Sequence, residues 1–270
     1  MKYITSLFAM VVCGLAYAQD QAVEPAAPVT PVPSIVAEPP VAPPVEEAKS
    51  FTMTIDSSVN FFDFDDGSIT QIDTELLFDV AEKLKLGVGL PVFNESGTRV
   101  GATGLGDMDV FAVVNLIDGK CDYLANDHVW LDFTGGFKIP LDGRYSSDEV
   151  VPHLGTEIGG EWGAVSLSYG FTYEFVDQYT FSPALGGFVY GNIYEGVATL
   201  GYQASDELEI HFTASQYFWE GNDLLMIGPG FNYKVTDAFS FGADLSVPTT
   251  NDTAYSDLNI CLSAGVEFNF

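Results

Sequence analysis

Apolar residues recur at every second position through most of this chain, and few folds can use that rhythm. In "VSLSYGFTYEF", Val165, Leu167, Tyr169, Phe171, Tyr173 and Phe175 alternate with Ser166, Ser168, Gly170, Thr172 and Glu174. "VWLDFTGGFKIPL" sets Val129, Leu131, Phe133, Phe137, Ile139 and Leu141 against Trp130, Asp132, Thr134, Gly136 and Lys138. From Ile260 the last strand reads Ile, Leu, Ala, Val, Phe, Phe at alternate positions. A period of two places unlike residues on the two faces of a β-strand.

About twelve such segments follow Ser50, near 51–63, 68–80, 84–94, 105–117, 128–140, 150–161, 164–177, 187–204, 207–219, 223–236, 239–249 and 257–270. Most slightly exceed the roughly 9–11 residues that a tilted strand needs to cross a bilayer, and no apolar run is long enough for a spanning helix. Short connections such as "AEKLK", "EWGA" and "VTDAF" follow even-numbered segments. Longer polar loops such as "NESGTRVGATG", "DQYTFSPALGG" and "TTNDTAYSD" follow odd ones. An even number of antiparallel strands, with short turns at one rim and long loops at the other, describes an all-β transmembrane up-and-down barrel.

A soluble sandwich also alternates, but its polar face is rich in Lys and Glu. Here the polar face is Gly, Ser, Thr, Asn and acids, with nine Lys and Arg against 38 Asp and Glu in the whole chain. That balance argues against a nucleic-acid partner, which requires a basic face. Aromatic content of 14% argues against a disordered acidic chain. Aromatics gather near strand ends: Phe61, Phe62 and Phe64 with Tyr217, Phe218 and Trp219 at one rim, Trp162, Phe239, Phe268 and Phe270 at the other. They read as the two interfacial girdles of a barrel surrounded by outer-membrane lipid.

The N-terminus has a separate character. Residues 1–18 read as a signal peptide: Lys2, an apolar stretch Ile4–Leu15, and "AYA" before Gln19. Residues 19–50 hold eight of the fourteen prolines and read as a disordered, Pro-rich periplasmic tether. Residues 51–270 are the expected outer-membrane barrel of a Gram-negative-type cell. Export permits a disulfide, but Cys121 and Cys261 are not expected to pair.

Alternation also assigns an interior. Its lumen-lining candidates are Asp56, Asp73, Glu75, Asp132, Glu157, Glu174, Glu195, Glu209, Asp244 and Glu267, with Lys85, Lys138, Lys234, His153 and His211 among them. A carboxylate-rich bore favours cations over anions, and the two arginines, Arg99 and Arg144, fall in loops. Some of these charges are equally expected to form an internal network that holds the barrel's shape. Gly87, Gly89, Gly136, Gly155, Gly228, Gly230 and Gly242 on the same face leave room inside, or permit the wall to bend. His128 is placed in a turn. No lipid-facing Ser–His pair of an outer-membrane phospholipase is recognisable, so no catalytic residues are assigned. Neither a cofactor nor a metal site is expected, since "DFDDGS" lacks the distal Glu of a calcium loop.

Two resemblances add to this. The terminal "GVEFNF" resembles the C-terminal signal of bacterial outer-membrane proteins, which implies that Phe268 and Phe270 engage the barrel-assembly machinery. "GLGD" at Gly104–Asp107, between "KLGVGLPVF" and "FTGGFKIPL", loosely resembles the putative outer-membrane transporters of the phenol-degradation meta-pathway. It departs from them where "VVNLIDG" stands in place of a lysine and an aromatic. That resemblance implies passive passage of small, often hydrophobic molecules. The expected function is thus a channel for small neutral, hydrophobic or cationic solutes; the alternative is a closed barrel acting structurally or through its loops.

Overall fold

A computed structural model describes residues 52–97, 102–121, 126–185, 187–249 and 257–270. The expected signal peptide and tether, and Arg99, lie outside these residues.

Strands β1 (Thr52–Phe64), β2 (Gly67–Ala81) and β3 (Leu84–Gly97) form a meander, each antiparallel to the next. The fourth barrel strand is broken in two. β4 (Thr103–Leu105) pairs with Val92–Asn94 of β3, and β5 (Met108–Cys121) pairs with Leu84–Gly89. The meander resumes through β6 (Asn126–Ile139), β7 (Val151–Trp162) and β8 (Val165–Glu174). A hairpin of β9 (Tyr179–Ser182) and β10 (Gly187–Tyr190) interrupts it as a separate two-stranded sheet. β11 (Ile193–Gln203) then pairs with β8, and β12 (Leu208–Trp219), β13 (Asn222–Thr236), β14 (Phe239–Pro248) and β15 (Leu258–Asn269) follow in order. β15 closes on β1, with Thr52 opposite Asn269 and Ile55 opposite Val266. The result is a closed antiparallel barrel of twelve strands. Closure leaves no open sheet edge, as a wall in hydrocarbon requires.

The period of two separates the faces as expected. Val59, Ile72, Leu86, Phe133, Leu167 and Leu200 are exposed on the outer face. Residues of the opposite parity, such as His153 and His211, are buried although they are polar, because they point into the barrel.

Three sequence expectations are corrected. The 187–204 segment is not one strand: 187–190 belongs to the hairpin, and the barrel strand starts at Ile193 after Gly191, whose φ of 75° turns the chain. Alternation runs in phase across that turn, so the break is invisible to periodicity. Likewise 164–177 ends at Glu174, and the loop read as polar folds into the hairpin. His128 sits in β6, not in a turn, because β5 and β6 extend past their expected ends; its Nε2 lies 2.5 Å from Asp118 Oδ1.

Candidate functional site: the barrel lumen

All fifteen candidate lumen residues have the inward parity, and several meet across strands. Asp73 accepts hydrogen bonds from Gln71 Nε2 (2.7 Å), Asn60 Nδ2 (3.2 Å) and Ser58 Oγ (3.5 Å). Asp56 stands opposite Glu75 in the β1–β2 register. Asp132 accepts from Asn115 Nδ2 at 2.8 Å. Glu157 accepts from Trp130 Nε1 at 3.3 Å, and Glu209 from Ser166 Oγ at 3.4 Å. Lys85 lies 3.9 Å from Asp79, and Lys234 2.9 Å from Asp237 in the turn after β13.

The most enclosed group is a polar bar across neighbouring strands. Lys138 Nζ reaches over β7 to donate to Glu174 Oε1 at 2.5 Å. Glu195 follows on β11, and Tyr217 of β12, its direct register partner, donates to it. Glu174 Oε2 is buried and has no hydrogen-bond partner among the described residues. One ammonium thus faces two carboxylates, leaving net negative charge in the bore toward its long-loop end.

The two lumen histidines share one construction. His153 Nε2 on β7 meets Asp109 Oδ1 on β5 at 2.8 Å, passing over Gly136 of β6. His211 Nε2 on β12 meets Asp244 Oδ1 on β14 at 2.5 Å, passing over Gly230 of β13. A Cβ at Gly136 would stand 2.5 Å from His153 Nε2, and one at Gly230 would collide with both members of its pair. These two inner glycines clear space for side chains that reach across a strand. Gly87 does the same for the ring of Phe111.

At the short-turn rim the lumen opens into a cavity of about 400 Å³, lined by residues including Asp56, Glu207, Glu209, Lys234, Ser240 and Glu267. In the turn beside it, the hydrogen bond from Lys234 holds the Asp237 carboxyl below its ordinary range.

The long-loop rim is unlike this. Phe62 and Phe64 (each 5% exposed), Ile69, Phe93, Tyr145 and Ala184 form one buried cluster. Leu185, Val189, Ile193, Trp219, Leu224 and Met226 form a second, and Tyr217 packs against both. This corrects the girdle assignment: Phe62, Phe64, Tyr217 and Trp219 point inward, while Phe61 and Phe218 alone of those six take the lipid-facing parity. At the opposite rim Trp162, Phe239, Phe268 and Phe270 are exposed on the outer face.

The "GLGD" stretch has a local task here. Buried Asp107, at the break between β4 and β5, accepts from Ser146 Oγ (2.5 Å) and Ser147 N (2.9 Å), anchoring the 140–150 loop. Gly104 and Gly106 give way to Tyr145 and to Phe93, respectively. Tyr145 donates to Ala102 O at 2.8 Å, and burial together with the Glu95 carboxylate pushes its phenol up to about 12. Cys261, inward-facing on β15, is a free thiol. Asp109, Asn115 and Tyr145 are inside-facing or mouth residues that the sequence reading does not name, and Asp107 and Tyr217 are named there without these contacts. The stretch read as the polar loop "DQYTFSPALGG" supplies Phe181, Ala184 and Leu185 to the mouth, and those three apolar residues are the signal that could have found it.

No protein-family model matches the chain, and no curated protein matches its sequence. Among solved structures, an outer membrane channel from Pseudomonas putida F1 is similar over 85% of this chain and 100% of its own, at 12% identity and a TM-score of 0.60. The NanC porin is similar over 80% of this chain and 100% of its own, at 7% identity and a TM-score of 0.54. The chain therefore shares its fold with outer-membrane channels and porins.

Proposed function

We propose that this chain is an exported outer-membrane channel that passes small neutral, hydrophobic or cationic solutes passively. The observation that carries the reading is the pairing of faces: apolar side chains exposed around a closed barrel, and inside it Lys138 outnumbered by Glu174 and Glu195 above a cavity edged with acids. Such an interior raises the local concentration of cations and repels anions. The fold it shares with known channels supports the same class, and the "GLGD" resemblance supports small, apolar cargo. Residues 19–50 serve in this reading as a periplasmic tether, and Phe268 and Phe270 as the contact with the assembly machinery. No catalytic role is proposed: all three histidines have inward parity, each beside an aspartate, whereas a lipid-cleaving barrel needs its base at the lipid face.

In planar bilayers the purified full chain should give single-channel steps whose reversal potential favours K⁺ over Cl⁻. Anion preference would overturn the cation assignment. The two apolar clusters at the mouth favour a second reading, a closed barrel that acts through its loops, and absence of any conductance would decide for it.

A further inference from the structure

We infer that the β9–β10 hairpin is a detachable plug of the long-loop mouth, held by Phe181 in an aromatic box that admits an apolar ring of a solute in its place. The inference rests on the channel reading and adds a gate to it.

Attachment is the first reason. Among the described residues β9 and β10 pair only with each other, so lifting them breaks no rung of the barrel wall. Side chains make the seat. Phe181 stands edge-on to Phe93 (centroids 4.8 Å apart) and to Tyr145 (4.9 Å), with Phe62, Phe64 and Ile69 completing the same buried cluster. On the other side Leu185 and Val189 cover Trp219, Leu224 and Met226. Among the described residues its polar ties include Gln178 N to Glu149 Oε1 (2.7 Å), Val176 N to Asn192 Oδ1 (3.0 Å), and Tyr179 to Asp148.

Chemistry is the second reason. Phe62, Phe64, Ile69 and Phe93 occupy the inward parity, the same faces that carry Asn60, Asp73 and Gln71 one or two rungs below. An inward apolar patch at a wet mouth is costly when bare. The hairpin covers it with a ring, and offset or edge-on aromatic packing accepts any ring of similar size. A neutral apolar solute that fills the box can therefore displace Phe181 without baring the patch. Tyr217 packs against both clusters and donates to Glu195, so the plug rests directly on the charged bar.

The test uses Phe181→Asp in the full chain, with Tyr190→Asp as control because Tyr190 is 59% exposed on the hairpin and packs on Tyr179, whereas the more obvious Phe188 stands edge-on to Phe181 itself. Heat-modifiable mobility checks that the barrel assembles; if F181D does not, F181A replaces it with the same readings. A carboxylate has no place in the apolar box, so F181D should raise mean conductance about threefold or more, and Y190D should leave it unchanged. Toluene should raise the wild-type conductance and have no effect on F181D. In a background with Trp130 and Trp162 changed to Phe, Trp219 is the single tryptophan, and F181D should shift its emission to the red. Unshifted Trp219 emission overturns the plug, whether or not any variant conducts. A conducting wild type matched by F181D also overturns it. Red-shifted Trp219 in a chain that never conducts upholds the detachable plug and defeats the channel reading instead.

Discussion

The two halves of the lumen obey opposite rules. Below the long-loop mouth the inward face is polar and bonded to itself: Lys138 with Glu174 directly beneath the plug, Asp73 with Asn60 and Gln71, and His211 with Asp244 nearer the short turns. Toward the long loops the same parity carries Phe62, Phe64, Phe93, Trp219 and Leu224, all buried. The difference lies in what covers each face. Where water and ions are the neighbours, a buried carboxylate or imidazole must find a partner. Where the chain brings its own apolar cover in the hairpin, the inward face can be hydrophobic. Alternation states which way a side chain points, and only the loop decides what it meets there.

Both halves depend on which face of the wall meets lipid, and the largest expected effect tests that face. Leu167, 47% exposed on β8, should not tolerate Arg: a cation at mid-membrane costs roughly 2–4 kcal/mol. L167R is expected to remain as unassembled, heat-insensitive material on gels. Normal assembly would reverse the faces and dissolve the contrast between the two halves. Next in size is the polar bar. Lys138→Gln leaves Glu174 and Glu195 without their cation, and removing one partner of a buried pair costs about 3–5 kcal/mol, less in a bore that admits water. The variant should melt at lower temperature while its K⁺ preference grows. A fall in K⁺ preference would mean that the bar does not face the conduction path.

The contrast itself was half legible in the sequence. The wall could be read because each strand has one lipid-facing and one interior side, and hydrocarbon punishes any exception; Leu262 and Phe268 declare their face without further context. Lumen charges such as Glu174 and His211 followed from parity alone. Their partners did not, since Lys138 to Glu174 and His153 to Asp109 each skip a strand, the first by the length of the lysine and the second over Gly136. The mouth was misread for a different reason. Phe62 and Trp219 look like interfacial aromatics at a strand end, and nothing local distinguishes a ring for lipid from a ring for a plug. Phe188 and Tyr190 alternate in phase with the strand that follows, so the turn at Gly191 was hidden.

Alkali should separate the halves by a smaller amount. The phenol of Tyr145, buried beside Glu95, titrates near 12 in the folded protein against 10.0 ordinarily. A raised phenol favours the folded state while both forms are protonated. Its contribution is therefore complete below pH 10 and is lost as the pH climbs through about 12. Protease nicking of the 140–150 loop should rise in that window, with the barrel still resistant to heat in gels. Tyr145→Phe removes the titration and the bond to Ala102 O, worth roughly 1 kcal/mol, so its nicking should be higher at neutral pH and flat with alkali. A wild-type profile equally flat would detach the tyrosine from the mouth's stability.

The smallest effect belongs to the open end. Asp237, fully in solvent, receives Lys234 Nζ at 2.9 Å, and that hydrogen bond holds its carboxyl below the ordinary 3.8. A depressed carboxyl favours the folded state only while ionised. The contribution is present above 3.8 and fades as the pH falls through the lower folded value. Exposed pairs of this kind are screened by salt and add little. Asp237→Asn should thus lower the melting temperature slightly at pH 7 in dilute buffer, and the gap should close below pH 3 or in molar salt. It should leave Trp219 emission and the alkaline nicking profile unchanged, because among the described residues the Lys234–Asp237 turn lies at the opposite rim from the plug. A shift in either reading would show that the two ends of the barrel are coupled, and the division of the lumen into independent halves would then fail.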